Sequence, residues 1–347
     1  MTVKMNSKVS VIMPVYNAEK HLAASIRSIL TQSHKNLELV IINDGSTDSS
    51  EDIVRTFMNR DDRIKYLVQK HLGVAAARNK GLKAADGQWI AYLDSDDIAM
   101  TDRIERCLSV VYRIGEKCLV YGGWFRFKVE KNKFRILDYA KGYLDSFDIF
   151  PFQNKNQFIC STVMHHKDCI VKAGFFDENL KCEEDWDLWL RISDDHPVYQ
   201  LDEALVFRRV GEHGDYLKND ISNKVVAECR QYVTEKRIKK LLEAYAVDTD
   251  SEIAKKIFFA TIDIKDDKLR REVLERLESW RIFGTVSGLV KTAPKQAFEL
   301  LEKYKNDKLI AHLIRDKIFD FSFSMADVTN EEFSFIKGVL ESLITSE

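Results

Sequence analysis

"VSVIMPVYNAEKHLAASIRSILTQSHKNLELVIIND", residues 9–44, reads as strand, helix, strand. Two runs rich in β-branched residues flank a stretch whose apolar residues recur at helical spacing, and the rhythm continues. "RIKYLVQ" (63–69) and "QWIAYLD" (88–94) follow as strands, with helix-like stretches over 19–32, 48–58 and 73–84. Strands alternating with helices predict an α/β fold, a Rossmann-like and mostly parallel sheet with helices on both faces. Right-handed crossovers then bring the C-terminal ends of the strands to one edge, where open sheets of this kind bind ligands.

The 347 residues are 45% hydrophobic and 31% charged with a net charge of -2, which describes a globular chain without the basic excess of a nucleic-acid binder. No apolar run approaches the length needed to cross a bilayer, and "MTVKMNSKVS" lacks the apolar core of a signal peptide, so a cytoplasmic protein is expected. Cysteines 107, 118, 160, 169, 182 and 229 form no CxxC pair, and free, mostly buried thiols are expected.

What stands at the strand ends carries the functional reading. After the second strand comes "NDGSTDSSE", in which Asp48 and Glu51 have the spacing of a helix cap and its partner. Asp44 is left over, either for a turn ahead of Gly45 or to accept hydrogen bonds from a nucleotide base or ribose. No GxGxxG follows a strand and no GxxxxGK[ST] occurs, which removes the dinucleotide fingerprint and the P-loop. After the fourth strand, "YLDSDDIAM" (92–100) crowds Asp94, Asp96 and Asp97 together. Such carboxylates repel unless solvent or a cation screens them, and hard oxygen donors suit magnesium or manganese. The plainer alternative is a turn with a helix cap at Asp97 or Thr101. In "EEDWDLWLRI" (183–192), a helix places Asp185 on a face with Leu188, Trp189 and Ile192, where desolvation raises its pKa and makes it a better proton acceptor. Asp187 and Arg191 can pair at i, i+4.

These segments, residues 9–50, "GVAAARNKGLKAADGQWIAYLDSDD" (73–97) and "EEDWDLWLRI", resemble in order and spacing the GT-A fold glycosyltransferases of family 2, over roughly residues 8–210. The resemblance implies sugar transfer from a nucleotide diphosphate donor, most often UDP-linked, with inversion. It implies donor contacts from Pro14, Tyr16, Asp44, Arg78, Asp94 and Ser95, a manganese or magnesium ion on Asp96 with Asp94 beside it, and Asp185 as general base with Glu184 as its neighbour. The implied acceptor is a glycan or lipid-linked glycan, as in the building of bacterial surface polysaccharide. In "VFRRVGEHGDY" (206–216) Arg209 matches a family position, whereas His213 is displaced from the family's histidine and is not expected to bind metal. His165 and His166 are read as packing residues, since no acidic or cysteine partner stands at ligand spacing.

The implied division is a nucleotide-sugar half over 1–100, an acceptor and catalytic half over 101–218, and a helical C-terminal region over 219–347 with few glycines. Within it, residues 224–242 cluster Lys224, Arg230, Lys236, Arg237, Lys239 and Lys240, which leaves open a peripheral membrane contact, a homodimer, or a face packed on the catalytic domain. Two other classes stay open: a nucleotide-sugar binding protein without catalysis, and a nucleotidyltransferase on a similar sheet.

Overall fold

A computed structural model describes residues 6–130, 133–140, 156, 159–210 and 223–247. The chain divides into two compact units, Met1–Arg230 and Gln231–Glu347. In the first, β1 (Val9–Val15), α1 (Leu22–Leu30), β2 (Leu37–Asn43), α2 (Ser50–Met58), β3 (Ile64–Val68), α3 (Val74–Ala84) and β4 (Trp89–Tyr92) follow one another as the hydrophobic pattern predicts. β1 and β2 are buried at every position, as befits central strands covered on both faces. On one face, Val11 and Met13 of β1 and Leu39 and Ile41 of β2 join Leu22, Ile26 and Ile29 of α1 and Val54 of α2 in one apolar cluster. On the other, Ile12 and Ile42 meet α3 at Gly81, where a Cβ would stand 2.6 Å from Ile12 and 2.7 Å from Ile42. Only glycine lets α3 lie this close to the sheet.

Beyond β4 come β5 (Ile98–Ala99), α4 (Arg103–Ile114), β6 (Leu119–Glu130), β7 (Lys133–Ala140), β8 (Met164–His166), α5 (Cys169–Ala173), α6 (Glu184–Ser193), β9 (Val198–Arg209) and α7 (Asn223–Val247). The strand order is β3-β2-β1-β4-β8-β6-β9-β5, with β7 paired to β6. Parallel pairing is unbroken only from β3 to β4; β8 runs antiparallel to β4 and β6, β7 to β6, and β5 to β9, while β6 and β9 are parallel. The sheet is therefore mixed, with a continuous parallel part in the first hundred residues and a further parallel pair, β6 and β9, among the antiparallel strands. One sheet carries both the 1–100 and the 101–218 segments.

Several local expectations change. Asp48 does not cap α2: its oxygens accept from the backbone N–H of Ser50 and of Glu19, tying the second βα turn to the first. Glu51 pairs forward with Arg55 instead of reaching back. Asp97 caps nothing, because Asp102 takes the position before α4. Helix α6 is not one-sided: Glu184, Trp186, Asp187, Leu188, Trp189, Leu190 and Ile192 are all buried, so its surroundings enclose it on all sides. All six cysteines are free and buried, and burial pushes Cys107 up to about 11 and Cys118 and Cys169 up to about 12, which leaves inert thiols. His165 and His166 do pack: Tyr92 Oη meets His165 Nε2 at 2.8 Å, burial drives His165 down to about 4, and His166 lies edge-on to Trp89. His213 and residues 248–347 lie outside the described residues.

Candidate active site

The parallel strands end where the sequence reading placed the chemistry. Asp44 follows β2, and its backbone N–H donates to the carbonyl of Val15 in β1. Its buried carboxylate is already occupied. Oδ1 accepts from Gln69 Nε2 (2.7 Å) and Leu72 N (2.9 Å), and Oδ2 accepts from Gly73 N (2.9 Å) with His71 Nδ1 also at 2.9 Å. Asp44 thus fixes the loop that leads from β3 into α3. Gly45 beside it has φ +76°, and a Cβ there would stand 2.8 Å from His71 N. The His71 ring, held in this way, stacks on exposed Tyr16 with centroids 3.9 Å apart and planes at 21°. Gln69 and His71 were not singled out from sequence; a polar pair between β3 and a glycine offered no spacing signal. Pro14 is buried inside β1 and shapes the strand end rather than presenting a polar group.

The second cluster lies beyond β4. Arg78, on α3 and only 4% exposed, donates from Nη2 to Asp94 Oδ1 (2.9 Å) and from Nη1 to Glu184 Oε1 (2.5 Å). The "AARN" arginine is therefore spent on two carboxylates and joins the aspartate-rich turn to α6. Ser95 takes part through its carbonyl, which accepts from Ser25 Oγ of α1. Asp96 is pushed up to about 7, by burial first and the Asp94 carboxylate second. Buried Asp97 accepts from Ser161 Oγ (2.6 Å) and Arg209 N (3.1 Å), while Ser161 Oγ itself accepts from Asp94 N, and Arg209 Nε donates to the carbonyl of Asp96. Ser161, in the turn before β8, and Arg209 of β9 clamp the aspartate-rich turn through Asp97 and the Asp96 carbonyl, a role that needed the second half of the sheet to become visible.

At the start of α6, Glu183 adopts φ +61°, unusual for a residue with a side chain, and its carboxylate pairs with Arg230 at 2.7 Å. Asp185 keeps part of its surface open. Its Oδ1 accepts from Trp186 N (2.7 Å) and from Asn156 Nδ2 (3.1 Å). Burial and then Glu184 outweigh the Arg78 guanidinium and push Asp185 up to about 8. Asp187, by contrast, is bonded to Arg191, as its spacing predicts.

Among the described residues no group of three His, Cys, Asp or Glu side chains converges as a closed metal cage. Asp94 and Asp96 fit a divalent ion all the same. They are hard oxygen donors whose mutual repulsion a dication relieves, and ions that keep waters and substrate phosphates are commonly held by one or two carboxylates.

Residues 10–177 match the family described as Glycosyl transferase family 2. An uncharacterized glycosyltransferase of Haemophilus influenzae is 36% identical over 177 residues, covering 51% of this chain and 68% of its own. The chain belongs to glycosyl transferase family 2. An uncharacterized glycosyltransferase of Methanocaldococcus jannaschii is 31% identical over 226 residues, 60% of this chain and 73% of its own. An uncharacterized glycosyltransferase of Rickettsia conorii is 35% identical over 201 residues, and the match spans only 32% of that relative's length. Among solved structures, residues 1–349 of S. aureus TarS in complex with UDP-GlcNAc superpose with a TM-score of 0.58 at 18% identity, covering 96% of this chain and 91% of that one. That likeness is one of fold: the family 2 chain described here has the GT-A architecture. No helix among the described residues is long and apolar enough to cross a membrane.

Proposed function

We propose that this chain is a glycosyltransferase that moves a sugar from a nucleoside diphosphate donor, UDP-linked, to a hydroxyl of a glycan or lipid-linked glycan, with inversion, in the building of surface polysaccharide. The observation that carries the reading is the Arg78 bridge, which ties the donor-side turn at Asp94 to the Glu184–Asp185 pair 90 residues further along the chain. Membership of family 2 supports it, as does the likeness in fold to TarS, whose structures hold UDP and UDP-GlcNAc.

The uracil ring is assigned to the exposed aromatic surface of Tyr16 and His71, with Asp44 acting by holding residues 71–73 in place. Asp96, with Asp94, would hold magnesium or manganese, which supplies positive charge where the departing diphosphate gains negative charge. Asp185 takes the proton of the acceptor hydroxyl on Oδ2, the oxygen that does not carry the bonds from Trp186 and Asn156. The oxygen of that hydroxyl forms the new bond to the anomeric carbon as the bond to the diphosphate breaks, and one displacement inverts the centre. Arg78 keeps the two carboxylate groups at a fixed separation throughout. Residues 1–100 serve the donor and 101–218 the acceptor, while the region beyond 219 is assigned to attachment or assembly.

Thermal shift and hydrolysis with a panel of UDP-, GDP- and dTDP-sugars in manganese test this. A stabilising, manganese-dependent response to UDP-sugars is expected. Binding without any turnover to an offered acceptor would favour a nucleotide-sugar binding protein, and incorporation of a nucleotide into product would favour a nucleotidyltransferase.

A further inference from the structure

The β6–β7 ribbon is two-faced. In its register Val129 opposes Phe134, Phe127 opposes Ile136, and Phe125 opposes Tyr139, so these six share one side. Glu130 opposes Lys133, Lys128 opposes Arg135, and Arg126 opposes Asp138 on the other side, and the pattern is kept across an irregularity that sets Leu137 aside. The apolar side is knit together, with Phe127 stacked on Phe134 at 4.6 Å and Phe125 against Tyr139 at 5.1 Å. Phe127 itself is buried, but the outer part of this side is open: Phe134 is 51% exposed, Ile136 50%, Val129 49% and Tyr139 38%. Among the described residues β7 pairs only with β6, which makes it an edge there. Edges are commonly protected by charge, but here the charges lie on the opposite side and leave the apolar one open.

We propose that this ribbon is a membrane-contact surface that seats the catalytic unit on an anionic lipid bilayer. Charge selects this occupant. In a chain of net charge -2, the described residues of the ribbon's polar side carry Arg126, Lys128, Lys133 and Arg135 against Glu130 and Asp138. The two acids are paired with Arg126 and Lys128, so the excess positive charge rests on Lys133 and Arg135, on either side of Phe134. A ribbon lying flat can sink its apolar side to the acyl boundary while long basic side chains reach anionic headgroups. The ribbon is also continuous with the active site. Phe207 of β9 pairs with Phe125 and with Ile98, and Arg209 lies over the Phe127 ring at 4.5 Å while bonded to the carbonyl of Asp96. Docking here sets the height of the aspartate-rich turn above the bilayer. The proposal does not depend on the donor reading.

The full chain is mixed with vesicles of phosphatidylcholine alone or with phosphatidylglycerol and floated at low and high salt, with light scattering in parallel. Wild type is expected to float with the phosphatidylglycerol vesicles at low salt and to be released by salt. Lys133→Glu with Arg135→Glu, and separately Phe134→Ser with Ile136→Ser, should each weaken binding at least about tenfold, with unchanged circular dichroism and melting. Wild type that stays unbound at low salt overturns the proposal, as does binding that both double variants retain. A dimer in solution that Phe134→Ser with Ile136→Ser converts to monomer assigns the face to a second copy and overturns it too.

Discussion

Asp185, the proposed base, shows how position changes an ordinary carboxyl. Burial and Glu184 push it up to about 8, so at neutral pH the ionised, proton-accepting form is a minority that grows as pH rises. Transfer should therefore accelerate with pH and level off near 8, and Asp185→Asn should keep donor affinity while lowering turnover by about 10² to 10⁴. Near-normal turnover of that variant at saturating acceptor would move the role to another residue. The same shift has a stability consequence. Between the ordinary value of 3.8 and about 8 the folded chain holds a proton that the unfolded chain has lost. Asp185's contribution is thus complete below pH 3.8 and disappears as pH rises through about 8. Urea melts from pH 5 to 9 should show a shallower decline for Asp185→Asn than for wild type. Asp96 answers to a different test. Asp96→Asn preserves shape but removes charge, and calorimetry should find manganese-dependent UDP binding sharply weakened; equal affinity for both proteins would end the metal assignment.

At the scale of elements, the turns matter more than the strands they join. Gly45 combines φ +76° with backbone of His71 at 2.8 Å from any added Cβ. Gly45→Ala should cost about 1–3 kcal/mol in urea unfolding and should also weaken UDP binding, because the displaced segment carries His71. A variant that loses stability but binds UDP as before would separate this loop from the donor site. Helix α6 depends on its internal pair. Asp187 is almost fully buried against Arg191, which also donates to the carbonyls of Ala173 and Phe175, so Asp187→Ala leaves a mostly buried cation short of its counter-charge. A loss of about 3 kcal/mol is expected from unfolding curves, with turnover falling only as far as folding does.

For the whole molecule, ligand and fold should be linked. A donor that binds only the folded state adds about 2.7 kcal/mol at a hundred times its dissociation constant, and if the ion on Asp96 mediates that binding, a chelator should abolish the rise in Tm. A shift of equal size with and without chelator would show that UDP binds independently of metal.

The alternation of strands and helices over residues 8–94 was readable because the strands are runs of apolar and β-branched residues and the stretches between them carry a helical period; these are local properties, fixed by the order of side chains along the chain. Asp44, Asp94 and Asp96 stood out as candidates for a related reason, since carboxylates just beyond apolar runs have few local uses, and Asp185 because helical spacing set it beside Leu188, Trp189 and Ile192. The sequence could not reveal what each carboxylate would meet. Arg78 looked like a cation for the donor, yet folding places it between Asp94 and Glu184, partners 16 and 106 residues away. Asp97 looked like a cap, yet β9 and the turn before β8 bring Arg209 and Ser161 onto it. The direction of β5 to β9 and the bareness of the β6–β7 ribbon were equally hidden, because pairing partners and exposure belong to pairs of segments rather than to any one of them. Local pattern determined the elements and the residue types at their ends; tertiary packing alone decided which charges face each other, and therefore which carboxyls hold their protons to higher pH.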